Sequence, residues 1–232
     1  MNFGANKELD EGAVHVWHLD LRLGAVELEN AAQLLNQEER LTAAYFREAR
    51  HRDRFIAGRG LLRSLLASYE GSEPAEVRFE WSANGKPSLE TQSEPAPIHF
   101  NYSHSADRAV CAITRIGPIG VDLERVQAWQ DLRELEQLVF TRDEISLLEQ
   151  LAENERDREF FRLWTHKEAL VKAIGDGLSL APETFGIDLE QARVVAGELE
   201  DLGWRFFDVS RSADWPAAVA VASEDCCVVQ FP

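Results

Sequence analysis

Ala109-Val110-Cys111-Ala112-Ile113-Thr114-Arg115-Ile116-Gly117-Pro118-Ile119-Gly120-Val121-Asp122-Leu123-Glu124 is the stretch from which the fold can be read. Residues 109–114 carry the β-branched alternation of a strand, Gly117-Pro118 punctuates, and 119–124 begin a second strand. Upstream lie a strand over Val14–Leu19, apolar residues at helical spacing from Leu28 to Phe46, and a second amphipathic helix marked by Phe55, Ile56, Leu61, Leu62, Leu65 and Leu66. Strands follow at Val77–Trp81 and Ile98–Tyr102, separated by the turn Asn84-Gly85-Lys86-Pro87 and a polar loop. Downstream the order repeats: helices around 132–139, 143–151 and 159–174, a stop at Gly175-Asp176-Gly177, then strands near 186–189, 204–208, 217–222 and 227–231. Antiparallel strands with helices packed on one side predict an α+β fold, with a boundary near Gly117-Pro118.

Composition narrows the functional classes. The 232 residues hold 41 acids and 24 bases, a net charge of −17 that disfavours a nucleic-acid or anionic-membrane binder. No apolar run approaches the length of a membrane span, and Met1–Asp10 lacks the basic-then-apolar order of a secretory signal. Cys111 and the adjacent Cys226 and Cys227 suggest neither a zinc cage nor a disulfide framework, which favours a reducing cytoplasm. One cationic island interrupts the acidity: residues 38–63 contain seven arginines (40, 47, 50, 52, 54, 59, 63) against four acids.

Three constellations carry candidate chemistry. Asp122 and Glu124 sit two apart on a strand, so both carboxylates share a face, and hard oxygen ligands of this kind suit Mg²⁺ or Mn²⁺; the bland alternative is an acidic strand end in solvent. In Trp164-Thr165-His166-Lys167-Glu168-Ala169-Leu170-Val171-Lys172, the i,i+4 spacing aligns Trp164, Glu168 and Lys172, with Lys167 beside them, on a helix otherwise apolar enough to be largely buried. Charges there want a partner, and a metal or phosphate would serve. Asn101-Tyr102-Ser103-His104-Ser105 reads as a short loop after a strand whose donors suit phosphate oxygens, and no nucleophile elbow accompanies it.

Taken in order, Gly85-Lys86-Pro87, Phe100-Asn101-Tyr102-Ser103-His104-Ser105, Pro118 to Glu124 and Phe161 to Lys172, continued by Leu178-Ser179-Leu180 and Phe185, resemble the Sfp-type 4′-phosphopantetheinyl transferase family. The resemblance implies a pseudo-dimer of two similar α/β lobes, here 1–117 and 118–232, each a small mainly antiparallel sheet packed with helices, with coenzyme A in the cleft between them. It implies transfer of the phosphopantetheine arm to a serine of an acyl, polyketide or peptidyl carrier protein, releasing adenosine 3′,5′-bisphosphate, by a cytoplasmic monomer. It places Mg²⁺ on Asp122, Glu124 and Glu168, makes Glu168 or a water it orients the base, and gives Lys172 the leaving phosphate. Ser103 and His104 match the pyrophosphate contacts, Lys86 a phosphate-binding lysine, and Arg54 the arginine that meets the 3′-phosphate. Lysines that some relatives carry upstream are replaced by Glu39, Thr42 and Ala43, leaving Arg47, Arg50 or Arg52 as substitutes. For an acidic carrier, the arginine island or the apolar segment from Trp129 to Phe140 could serve as a docking surface. A catalytically silent module that binds coenzyme A or a carrier is the alternative, against which the full set Asp122, Glu124, Glu168 and Lys172 argues.

Overall fold

The computed structural model describes residues 3–4, 7–90, 97–127, 132–175, 180–223 and 225–232. Trp129 and the segment Asp176–Ser179, both named above, lie outside them.

Strand β1 (Ala13–Asp20) is followed by helices α1 (Ala25–Leu34), α2 (Gln37–Tyr45) and α3 (Ala49–Glu70). The single helical pattern over 28–46 is therefore two helices. Asn36 caps α2 by accepting from the Glu39 N–H, and Glu39 answers by accepting from the Asn36 N–H, so the local chemistry starts a new helix where periodicity alone runs on. A small hairpin, β2 (Phe79–Trp81) with β3 (Pro87–Leu89), precedes β4 (His99–Ser105) and β5 (Arg108–Thr114). The second half contains β6 (Ile119–Leu123), α4 (Leu132–Val139), α5 (Arg142–Glu149), α6 (Glu153–Ile174), β7 (Gly186–Asp188), β8 (Arg193–Ala196), β9 (Trp204–Asp208), β10 (Ala217–Ala222) and β11 (Cys227–Phe231).

The fold is α+β, built on two main sheets. One has the order β11-β1-β5-β4 and the other β6-β10-β9-β8-β7. All the pairs are antiparallel except β1 with β11, which run parallel. The last strand thus crosses back to the sheet of the first, and Phe231 stacks on Trp17 with centroids 4.3 Å apart.

Each sheet buries one face under a long helix. Leu61, Leu62, Leu65 and Leu66 of α3 join Trp17, Leu19, Cys111 and Ile113 in one core; Phe160, Phe161, Leu163 and Leu170 of α6 join Phe206, Ala218 and Ala220 in another. A third cluster, with Val14, Val16, Val110 and Ala112 on one side and Ile119, Val121, Val219 and Val221 on the other, packs the two sheets together. Helix α6 lies directly on β6. Gly120 makes this possible, because a Cβ there would stand 2.9 Å from Ala173 Cα and closer still to Ala169 O and Ala173 N.

Candidate active site

The motif read as a loop, Asn101–Ser105, lies within β4, and the alternation of a strand divides its work. Odd residues turn toward β6: Asn101 Oδ1 accepts from the Val121 N–H (2.8 Å), Ser103 Oγ donates to Asp122 Oδ1 (2.8 Å), and Ser105 Oγ donates to Glu124 Oε2 (2.9 Å). Even residues, Tyr102 and His104, line a cavity of about 540 Å³ on the α3 side.

Asp122 is 2% exposed. Its Oδ1 also accepts from Lys172 Nζ at 2.5 Å, and Lys172 donates in turn to Ser103 Oγ at 3.0 Å. Its Oδ2 is buried with no hydrogen-bond partner among the described residues. Burial, followed by the charge of Asp122, raises the carboxyls of both Glu124 and Glu168 above the usual range, with Lys172 pulling the other way. Trp164, Glu168 and Lys172 are all half-buried on one face of α6, as the i,i+4 spacing predicts.

These carboxylates are not drawn into a ligand cage: among the described residues no three His, Cys, Asp or Glu side chains are grouped to hold a metal ion. The ammonium of Lys172 sits on Asp122 and neutralises it. The donor set still fits a divalent cation: a buried carboxylate oxygen without a partner, beside two carboxyls that burial and repulsion hold toward protonation, is chemistry that a hard cation relieves.

The cavity gathers cations of its own. His51, Arg54, Phe55, Gly58, Arg59 and Leu62, one face of α3, supply a wall, and Phe46, Trp81 and Pro87 close it. Arg54 and His104 both line it. Arg47, Arg50 and Arg52 are exposed and do not line it; in their place stands Arg59, unforeseen in the sequence, with Trp81, Phe55 and Phe79 rings 5.3, 5.8 and 5.9 Å from its guanidinium. Burial holds that guanidinium below its ordinary value. Burial, then the charges of Lys172, Arg59 and Arg54, lower His104, so its imidazole is biased toward the neutral form. Tyr102 lines the same cavity with a buried hydroxyl that has no partner among the described residues.

Two lysines stand apart from where the motifs suggested. Lys167 is 1% exposed and points away from Glu168 into the core, bonding Glu144 Oε2 (2.7 Å) and the carbonyls of Pro182 (2.8 Å) and Phe185 (2.7 Å). Lys86 does not line the arginine-rich cavity; its Nζ donates to the carbonyls of Ala173 (2.8 Å) and Ile119 (3.1 Å).

Residues 118–220 match the profile described as the 4′-phosphopantetheinyl transferase superfamily, and residues 24–115 match that of the 4′-phosphopantetheinyl transferase N-terminal region. The chain is 36% identical over 218 residues to the 4′-phosphopantetheinyl transferase HetI of Nostoc sp., covering 94% of this chain and 91% of that one. It is 29% identical over 212 residues to a 4′-phosphopantetheinyl transferase of Bacillus subtilis, covering 90% and 92%. With the 4′-phosphopantetheinyl transferase Sfp of Bacillus subtilis strain 168 it shares 29% identity over 184 residues, covering 79% and 80%.

Proposed function

Because this chain belongs to the 4′-phosphopantetheinyl transferase superfamily and is an enzyme of that activity, we propose how its own residues carry out the transfer. The nucleotide end of coenzyme A enters the 540 Å³ cavity, where Arg54, Arg59 and His51 meet the 3′-phosphate and His104 reaches toward the diphosphate. Asp122, Glu124 and Glu168 would hold Mg²⁺. When bound, the cation supplies Lewis-acid stabilisation of charge on the phosphate oxygens.

The chain's remaining work is positioning and proton transfer. Glu168 accepts the proton of the carrier serine hydroxyl. The serine oxygen forms a bond to the phosphorus that carries the pantetheine arm, and the bond from that phosphorus to the bridging oxygen breaks. Adenosine 3′,5′-bisphosphate leaves with the electron pair. Lys172, already held by Ser103, donates to the leaving phosphate. The boundary between the lobes falls between 117 and 118, except that β11 leaves the 118–232 segment to complete the sheet of the first lobe, and the enzyme works as a cytoplasmic monomer on acyl, polyketide or peptidyl carriers.

The observation that carries this reading is the Ser103–Asp122–Lys172 knot, with its unpartnered Asp122 oxygen, set behind a cavity walled by two arginines and two histidines. Incubating the protein with coenzyme A, Mg²⁺ and an apo carrier should raise the carrier's mass by one phosphopantetheine. Asp122→Ala and Glu168→Ala should slow this at least about a hundredfold with the fold intact. Near-normal rates in either variant would overturn the assignment.

A further inference from the structure

The hairpin turn between β2 and β3 is closed on itself. Gly85, at φ +79°, donates to Ser82 O (2.9 Å), the Lys86 N–H donates to Ser82 Oγ (3.0 Å), and the Ser82 N–H donates to Lys86 O (3.0 Å). This closed turn directs its side chains across to the other half of the chain. Lys86 Nζ bonds the carbonyls of Ala173 and Ile119, and Asn84 Nδ2 donates to the carbonyl of Gly175 (3.2 Å).

Ala173 and Gly175 belong to the last turn and cap of α6, where carbonyls have no partner within the helix and the helix dipole favours a cation. The lysine stem fits against the cap, since a Cβ on Gly175 would lie 3.2 Å from Lys86 Cδ. Ile119 opens β6. One ammonium therefore ties together the β2–β3 turn, the start of the strand that carries Asp122 and the end of the helix that carries Glu168 and Lys172.

The geometry points to Lys86 as a positioning residue, which caps α6 from the opposite half of the molecule and so fixes Glu168 and Lys172 against Asp122, rather than as a phosphate ligand. Both carbonyl bonds would have to break before Nζ could turn to a phosphate. Its burial, which pushes the ammonium down to about 8, agrees with a group taken out of solvent by these contacts.

This inference rests on the proposed chemistry, and its test separates the two. Lys86→Met keeps the stem and loses the donors; Lys86→Arg keeps donors. The readouts are kcat, the dissociation constant for coenzyme A by calorimetry, and amide exchange over residues 170–175. Lys86→Met should lower kcat by about tenfold or more, because small displacements of catalytic groups are costly, and leave coenzyme A affinity within about twofold. Exchange at the end of α6 should quicken, and Lys86→Arg should recover most of both losses. A tenfold weaker affinity with kcat unchanged would make Lys86 a phosphate ligand, and unchanged exchange would show that it caps nothing. Either result overturns the inference. Wild-type protein inactive on every carrier would sink the proposed chemistry, while the exchange measurement would still judge the cap.

Discussion

Replacing Gly120 by alanine puts one methyl group into the contact on which the site depends. Strand β6 carries Asp122 two residues further on, and α6 carries Glu168 and Lys172 each one residue before a contacting residue, Ala169 and Ala173. A Cβ at residue 120 meets backbone atoms of α6, with Ala173 Cα at 2.9 Å and Ala169 O and Ala173 N nearer, so no side chain can rotate away to make room. The helix has to withdraw from the strand by about 1 Å, a displacement that places Gly120→Ala at the upper end of overpacking costs, about 3 kcal/mol. The same movement pulls Lys172 off Asp122, and misplacement on that scale is worth about a hundredfold in rate. Urea unfolding monitored by tryptophan fluorescence reads the first quantity and the carrier mass-shift rate reads the second. A Gly120→Ala protein within about 0.5 kcal/mol of wild type and with a wild-type rate would refute the claim that backbone contact between β6 and α6 sets the site.

Other outcomes follow from the cavity, the core and the histidines. Arg59→Met should raise the KM for coenzyme A about tenfold while kcat changes little, as loss of a charge-assisted contact made equally in ground and transition states does; steady-state kinetics with varied coenzyme A tests this. Glu144→Gln should destabilise by about 3 kcal/mol in chemical denaturation, because the buried Lys167 ammonium would lose its counter-ion. Burial holds His15, His18, His99, His104 and His166 below the ordinary 6.5. The unfolded chain therefore takes up protons first as pH falls through 6.5, and stability declines from there downward; melting temperatures between pH 7.5 and 5.5 should fall accordingly. The raised carboxyls of Glu70, Glu124 and Glu168 act in the opposite direction, gaining stability as pH falls toward 4.5, so the decline should flatten there. A melting temperature that rises between pH 7.5 and 5.5 would contradict the histidine assignment.

What was legible in the sequence is what depends on local period. Alternation put Asp122 on one face of β6 with Val121 buried behind it, and helical spacing put Trp164, Glu168 and Lys172 on one face of α6. The helix break before α2 was also written locally, in Asn36 and Glu39, though apolar spacing ran across it. Reading Asn101–Ser105 as a loop missed that a polar strand can be buried when its donors meet another strand's carboxylates. The remaining differences are matters of non-local choice. Lys167 is adjacent to Glu168 in sequence yet pairs with Glu144, and nothing in a single helix's period names a partner on α5. Arg59 was counted in the cationic island, but its selection over Arg50 and Arg52 follows from which face of α3 turns toward Trp81 and Tyr102, and Arg47 precedes that helix. The pairing of β11 with β1 joins the two ends of the chain, and only the packed core specifies it.

A crystal of the protein grown with coenzyme A and manganese, with data collected at the manganese edge, bears most directly on the proposed centre. One anomalous peak in contact with carboxylate oxygens of Asp122, Glu124 and Glu168 and with the diphosphate is the predicted result. A peak bound elsewhere, or a diphosphate seated away from all three side chains, would contradict it.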